Sequence, residues 1–226
     1  MGTCFAVLRM RHILICAGVV LASAIAAMAG ITAAPEQQRH LLGWLIAVDA
    51  GHGGNDYGAW FPKDAVVEKD ITLDVAYLVG QELAGAGAAV VLIREDDSFV
   101  QLSDRAHIAN RANARMFVSI HVNRYPGDTR CCGAQTFYQK GSQESQELAE
   151  LVQEHLRRLD TENHRVALPA DYQVLRESKM PAVLVEIGFA TNSRDRRLIM
   201  DAEYRNGVAY AIKEAVLAYS RNQLPQ

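Results

Sequence analysis

At 226 residues, half of them hydrophobic, the chain is long enough to bury one sizeable core and too apolar to be disordered. A formal net charge of -3, with no dense run of Lys and Arg, argues against a nucleic-acid partner. Four cysteines do not make a disulfide framework or a thiolate metal site: Cys4 and Cys16 lie near the start, and Cys131 and Cys132 are neighbours that bridge geometry discourages from pairing.

The chain opens with Arg9, Arg11 and His12 ahead of an uncharged stretch from Ile13 to Ala34. A basic start and an apolar core of this length fit export, as a cleaved signal peptide ending near Ala27-Met28-Ala29 or as a retained membrane anchor. Residues 1–34 are therefore expected to be this leader, 35–42 a short polar linker and 43–226 one catalytic domain. Helical periodicity then marks Ile71–Leu83, Gln101–Arg115, Gln143–Leu159 and Tyr204–Ser220. Strand signals fall at Leu45–Val48, Ala88–Ile93, Phe117–Ile120, Ala134–Tyr138, Tyr172–Leu175 and Ala182–Val185. Alternating strands and helices imply a single α/β domain of three layers, a mostly parallel sheet of about six strands flanked by helices on both faces. Runs such as Val90-Val91-Leu92-Ile93, apolar on both sides, suit buried central strands.

Four side chains suit a hydrolytic metal site. His52 follows the first strand in Asp49-Ala50-Gly51-His52-Gly53-Gly54, where glycines permit a tight turn and close backbone approach. Asp49 can steady the imidazole's second nitrogen, and it can equally cap a turn. Glu68 sits just before a helix, where a carboxylate is also at home for dipole reasons alone, worth roughly 0.3–1 kcal/mol. His121 ends an apolar strand. Glu186 lies inside the run Ala182-Val183-Leu184-Val185-Glu186-Ile187, and an unpaired buried carboxylate needs a metal, a cation or a proton. In an open α/β sheet, residues at the carboxyl ends of strands converge on one crevice. Two His and one Glu with an open position form a catalytic zinc set, and a second Glu can move the proton of an attacking water to a leaving amine. Together the four suggest amide hydrolysis. A non-catalytic wall-binding module and a glycoside hydrolase using Glu68 and Glu186 as its carboxylate pair are the alternatives; the second leaves His52 and His121 unexplained.

The motifs Asp49-Ala50-Gly51-His52-Gly53-Gly54, Glu68-Lys69-Asp70, Leu102 with Arg105 and Ala109-Asn110, Ser119-Ile120-His121-Val122-Asn123 and Val183-Leu184-Val185-Glu186-Ile187-Gly188-Phe189 occur in one order. In these motifs, over about Leu45 to Tyr219, the chain resembles zinc-dependent N-acetylmuramoyl-L-alanine amidases. The resemblance implies a Zn²⁺ held by His52, Glu68 and His121, a catalytic Glu186, and peptidoglycan as substrate, cut between N-acetylmuramic acid and L-alanine outside the cytoplasm. Gly133-Ala134-Gln135-Thr136-Phe137-Tyr138 resembles the germination-specific branch of endospore formers, which implies work on spore cortex in the space between the forespore membranes. The ten residues from Asn123 to Cys132 leave no room for the inhibitory helix of septal relatives, so control falls to expression, location or an activating partner. Ala50 and Arg115-Met116 depart from the family pattern without touching a candidate ligand.

Overall fold

The computed structural model describes residues 40–61 and 66–223, so the expected leader and the first residues of the expected linker lie outside the described residues. Among the described residues no helix is long and apolar enough to cross a membrane. Leu41, in the segment read as linker, is fully buried and donates its backbone N–H to Ala86 O.

In chain order the elements are β1 (Leu45–Ala50), β2 (Trp60–Phe61), β3 (Val66–Val67), α1 (Glu68–Gly85), β4 (Ala89–Leu92), α2 (Leu102–Arg111), β5 (Met116–Asn123), β6 (Gln135–Gln139), α3 (Gln143–Leu159), β7 (Leu168–Ala170), α4 (Gln173–Arg176), β8 (Ala182–Phe189), α5 (Ser193–Met200) and α6 (Ala202–Asn222). Six strands form one sheet in the order β4-β1-β5-β8-β6-β7. The first four run parallel, β6 is antiparallel to β8, and β7 is parallel to β6. β2 and β3 form a separate antiparallel pair.

Strand periodicity divides the core in two. Ile46, Val48, Met116, Val118, Ile120, Val183, Val185 and Ile187 pack against Val75 and Val79 of α1, Leu148 and Val152 of α3, and Val208 and Ile212 of α6. The alternate residues Ala47, Phe117, Ala182 and Leu184 face the other way, against Ala109 of α2 and Val174 and Leu175 of α4. This second layer is the thinner one. By the same alternation Asp49, Ser119, His121 and Glu186 lie on its side of the sheet, toward the carboxyl ends of β1, β5 and β8. Ser119 pairs with Asp49, and His121 with Glu186, in adjacent strands. Just beyond that pair the β5–β8 register slips, a local irregularity of the kind often found beside active sites.

Several boundaries differ from the sequence reading. The stretch Tyr172–Leu175, expected as a strand, is instead the short helix α4, with Leu175 and Arg176 donating to Tyr172 O. Its β-prone residues win burial for Val174 and Leu175 without needing a strand partner. The sixth strand is β7, Leu168–Ala170, which tolerates Pro169 because it lies at the sheet edge. α2 stops at Arg111, short of the expected Arg115, where Asn113 adopts φ 54, a left-handed stop that Asn accepts more readily than most residues. α5 was not expected; Asn192 caps it, accepting from Arg194 N and Asp195 N. The segment from Arg124 to Gly133 contains turns and no helix.

Candidate active site

The turn after β1 delivers His52 in a left-handed conformation, φ 63, which is strained for a non-glycine residue and persists only where the surroundings enforce it. Two buried cations do the enforcing. Arg105 of α2 donates to Asp49 Oδ1 at 2.8 Å, Ala50 O at 2.6 Å and His52 O at 2.7 Å. Arg94 donates to Ala50 O and, with Thr72, to Gly51 O. The carbonyls released where β1 leaves the ladder are thereby satisfied without water. Gly51 is required by space: a Cβ there would stand 2.3 to 2.6 Å from the ring of His121. Gly58 is required twice over, by φ 65 and because its Cβ would meet Glu68 Oε2 at 2.5 Å and His52 Cδ2 at 2.7 Å.

Glu68 is the first residue of α1 and is buried. Its carboxylate faces away from the helix's own amides: Oε2 accepts from Ala59 N at 2.6 Å and Oε1 from Val122 N at 2.8 Å. Oε1 also faces His52 Nε2 at 3.0 Å and His121 Nδ1 at 3.2 Å. Burial pushes the Glu68 carboxyl up, but the two imidazoles outweigh it and hold the group well below the usual carboxylate range. Burial likewise opposes the His52 imidazolium, yet Glu68 and Asp56 raise its pKa to about 9. His121 is raised too, against its burial, by Glu68 and Glu186.

Two nitrogens aimed at one carboxylate oxygen make a place for a proton or a metal ion. His52, Glu68 and His121 each offer one ligand atom, all within 4.8 Å of one another. His52 Nδ1 hydrogen-bonds Asp56 Oδ2 at 2.8 Å, which commits Nε2 to the centre of the site. Two imidazoles and one carboxylate fit the donor set of a four-coordinate zinc site that keeps one position open.

Glu186 stands beside this trio through the register of β8 with β5. It is 8% exposed, and its Oε2 has no hydrogen-bond partner among the described residues. Burial raises its pKa to about 7. A buried carboxyl with an unsatisfied oxygen beside a cation-seeking cluster is poised to exchange a proton near neutral pH. A cavity of about 380 Å³ opens in front of His52 and His121, lined by Asp56, Phe99, Gln101, Leu102 and Gln173 among others.

All four candidate residues thus come together at the carboxyl ends of β1, β5 and β8 and the start of α1. Asp49 does not steady an imidazole. It is fully buried and receives Arg105 and the hydroxyl of Ser119 at 2.7 Å. The imidazole partner is Asp56, which the sequence reading passed over.

A family model described as N-acetylmuramoyl-L-alanine amidase matches residues 46–218. The chain belongs to the N-acetylmuramoyl-L-alanine amidase family. It is 37% identical over 184 residues to the N-acetylmuramoyl-L-alanine amidase LytC of Bacillus subtilis, in a match spanning 80% of this chain and 36% of that protein. The germination-specific N-acetylmuramoyl-L-alanine amidase of Bacillus subtilis is 31% identical over 194 residues, covering 79% of this chain and 81% of that one. Among solved structures, the CwlD amidase from Clostridioides difficile, in complex with the GerS lipoprotein, is 36% identical with a TM-score of 0.76 and covers 80% of this chain and 100% of that chain. The protein is therefore an amidase by family, with a single α/β domain like those neighbours.

Within this amidase the residues that a sequence reading undervalues are the supports. Asp56 lies four residues after His52, closing a turn in which Gly53 and Asp56 bridge each other. Lys69, adjacent to Glu68, donates to Gly54 O at 2.8 Å and Asp97 Oδ2 at 2.7 Å, fixing the glycine turn to the loop after β4.

Proposed function

We propose that the chain hydrolyses the amide between N-acetylmuramic acid and L-alanine in peptidoglycan, with Zn²⁺ held by His52, Glu68 and His121 and with Glu186 as the catalytic acid–base. The observation that carries this reading is the convergence of His52 Nε2, His121 Nδ1 and Glu68 Oε1 beside the unpartnered oxygen of Glu186. Zinc supplies Lewis acidity toward the scissile carbonyl. Glu186 accepts a proton from the attacking water as the oxygen adds to the lactyl carbonyl carbon. It then returns that proton to the L-alanine nitrogen as the C–N bond breaks. Asp56 orients His52, and Arg105 holds the turn that carries it.

A glycosidase role fits poorly, because Glu68 is committed to two backbone amides and two imidazoles and has no oxygen free for a sugar. Digestion of purified peptidoglycan with and without a chelator, read by mass spectrometry, tests the reading. Peptides with a free L-alanine amine, released only without chelator, are expected; reducing sugar ends would instead mark a glycosidase, and no release a binding module.

The germination-specific relative and the Gly133–Tyr138 motif support a role in spore cortex, with muramic-δ-lactam formation downstream, and a vegetative wall amidase of the same chemistry is the second reading. That neighbour was solved with a lipoprotein partner, and the short Arg124–Gly133 connection carries no helix to block the cleft. An activating partner therefore suits this chain better than self-inhibition. Action outside the cytoplasm, at the forespore intermembrane space in a spore former, follows from the substrate and the expected leader.

A further inference from the structure

Next to the proposed metal site the chain exposes an aromatic pair that the hydrolysis leaves unused. Tyr57 and Trp60 stack with ring centroids 5.6 Å apart and planes 26° from parallel, at 47% and 59% exposure. Exposed tryptophan next to a site commonly marks a binding surface.

The pair is built in rather than loosely attached. Lys69 Nζ lies 4.5 Å from the Tyr57 ring centroid and is itself pinned by Gly54 O and Asp97. Trp60 sits in β2, in register with Val67 of β3. The residues between the two rings touch the active site directly: Ala59 N donates to Glu68 Oε2, and Gly58 packs against both Glu68 and His52. Tyr57 to Trp60 is thus a strap around the Glu68 carboxylate, with an aromatic ring at each end.

Resting on the peptidoglycan reading, we propose that the Tyr57–Trp60 pair is a sugar platform that stacks a pyranose ring of the glycan strand beside the muramic acid whose amide is cut. The platform's chemistry selects the sugar over the stem peptide. A pyranose is neutral and presents a face of C–H groups, which suits the electron-rich face of an indole. A charged peptide end would need an unpaired partner, and Lys69, the cation over the Tyr57 ring, is already paired with Asp97.

The chain has two tryptophans, and Trp44 is only 8% exposed, so quenchable emission reports Trp60. Peptide-free glycan strands lack the scissile amide and can be added to the zinc-loaded full chain without turnover. They are expected to shift Trp60 emission to the blue and shield it from acrylamide. On polymeric peptidoglycan, Trp60→Ala should raise KM roughly tenfold, in line with stacking energies of base–aromatic pairs, and leave kcat within about twofold. Trp60→Phe should restore most of the loss, which a merely folding-related role would not predict from KM alone.

Amide release by a chain whose Trp60 is not shielded by glycan, with wild-type KM in Trp60→Ala, would overturn the platform and leave the amidase reading standing. Glycan shielding in a chain that releases no L-alanine amine would do the reverse. Shielding of Trp60 by a protein and not by glycan would also overturn the platform, making the pair a docking surface.

Discussion

Glu186 occupies a position where a carboxylate is costly and where, on the proposed mechanism, its cost is what makes it useful. Burial lifts its pKa to about 7 and leaves one oxygen unsatisfied, so the group can take and give a proton near neutrality. Glu186→Gln keeps shape and removes the base; turnover should fall by roughly 10²- to 10⁴-fold while zinc content, measured by elemental analysis, stays stoichiometric. Loss of zinc in a folded Glu186→Gln would make it a ligand instead. Asp56 acts at one remove, through His52 Nδ1 at 2.8 Å. Truncation to Asp56→Ala should weaken zinc binding by about 10- to 100-fold in competition with a chromophoric chelator, the usual effect of losing an outer partner of a ligating imidazole. Unchanged affinity would mean that the strained turn alone orients the ring.

At the scale of elements, one buried ion pair joins a helix to a strand and a turn. Arg105 of α2 and Asp49 of β1 are almost wholly inaccessible, at 2% and 0% side-chain exposure. Removing the guanidinium would strand the Asp49 charge and release the carbonyls of Ala50 and His52. Arg105→Ala should therefore destabilise the domain by about 3–5 kcal/mol in urea denaturation and lower zinc retention as well. A stability loss below about 1 kcal/mol would show that the Ser119 hydroxyl, which already donates to Asp49, is enough to hold that carboxylate.

For the molecule as a whole the site couples metal, protons and stability. Without metal, the folded state keeps a proton on Glu186 from pH 4.5 to about 7, and one on His52 from pH 6.5 to about 9, that the unfolded chain has already released. Both groups make the metal-free protein lose stability as pH rises across that window. Glu68 has the opposite sign, since its carboxyl is held low, and its contribution disappears as pH falls below 4.5. On the proposed ligand set zinc would take the place of the His52 proton, so its binding should release protons in weakly buffered solution at pH 7 and should flatten the expected alkaline loss of stability in denaturation curves. Uptake without proton release would mean that His52 is neutral before the metal arrives.

The four candidate residues and the α/β alternation were legible in the chain because each leaves a local mark. Glu186 breaks an apolar run, His52 sits among glycines, and His121 follows an apolar strand signal, so residue type against its neighbours was enough to nominate them. α3 was read to its ends, Gln143–Leu159, because its amphipathic pattern and its Ser142 cap are both local. Tyr172–Leu175 and Leu168–Ala170 went the other way, since four residues carry too little pattern to separate a helical turn from a strand, and an edge strand with a proline has almost none. Asp49 and Asp56 show the deeper limit. Both are acidic residues within four positions of His52, and nothing local distinguishes the one that meets Arg105, far along the chain, from the one that meets the imidazole. Only the tertiary structure decides that, because hydrogen bonds are short and directional while the chain between their partners is long. For the same reason the sequence could name only candidates for the site, and folding alone fixed which atoms of His52, Glu68 and His121 face one another.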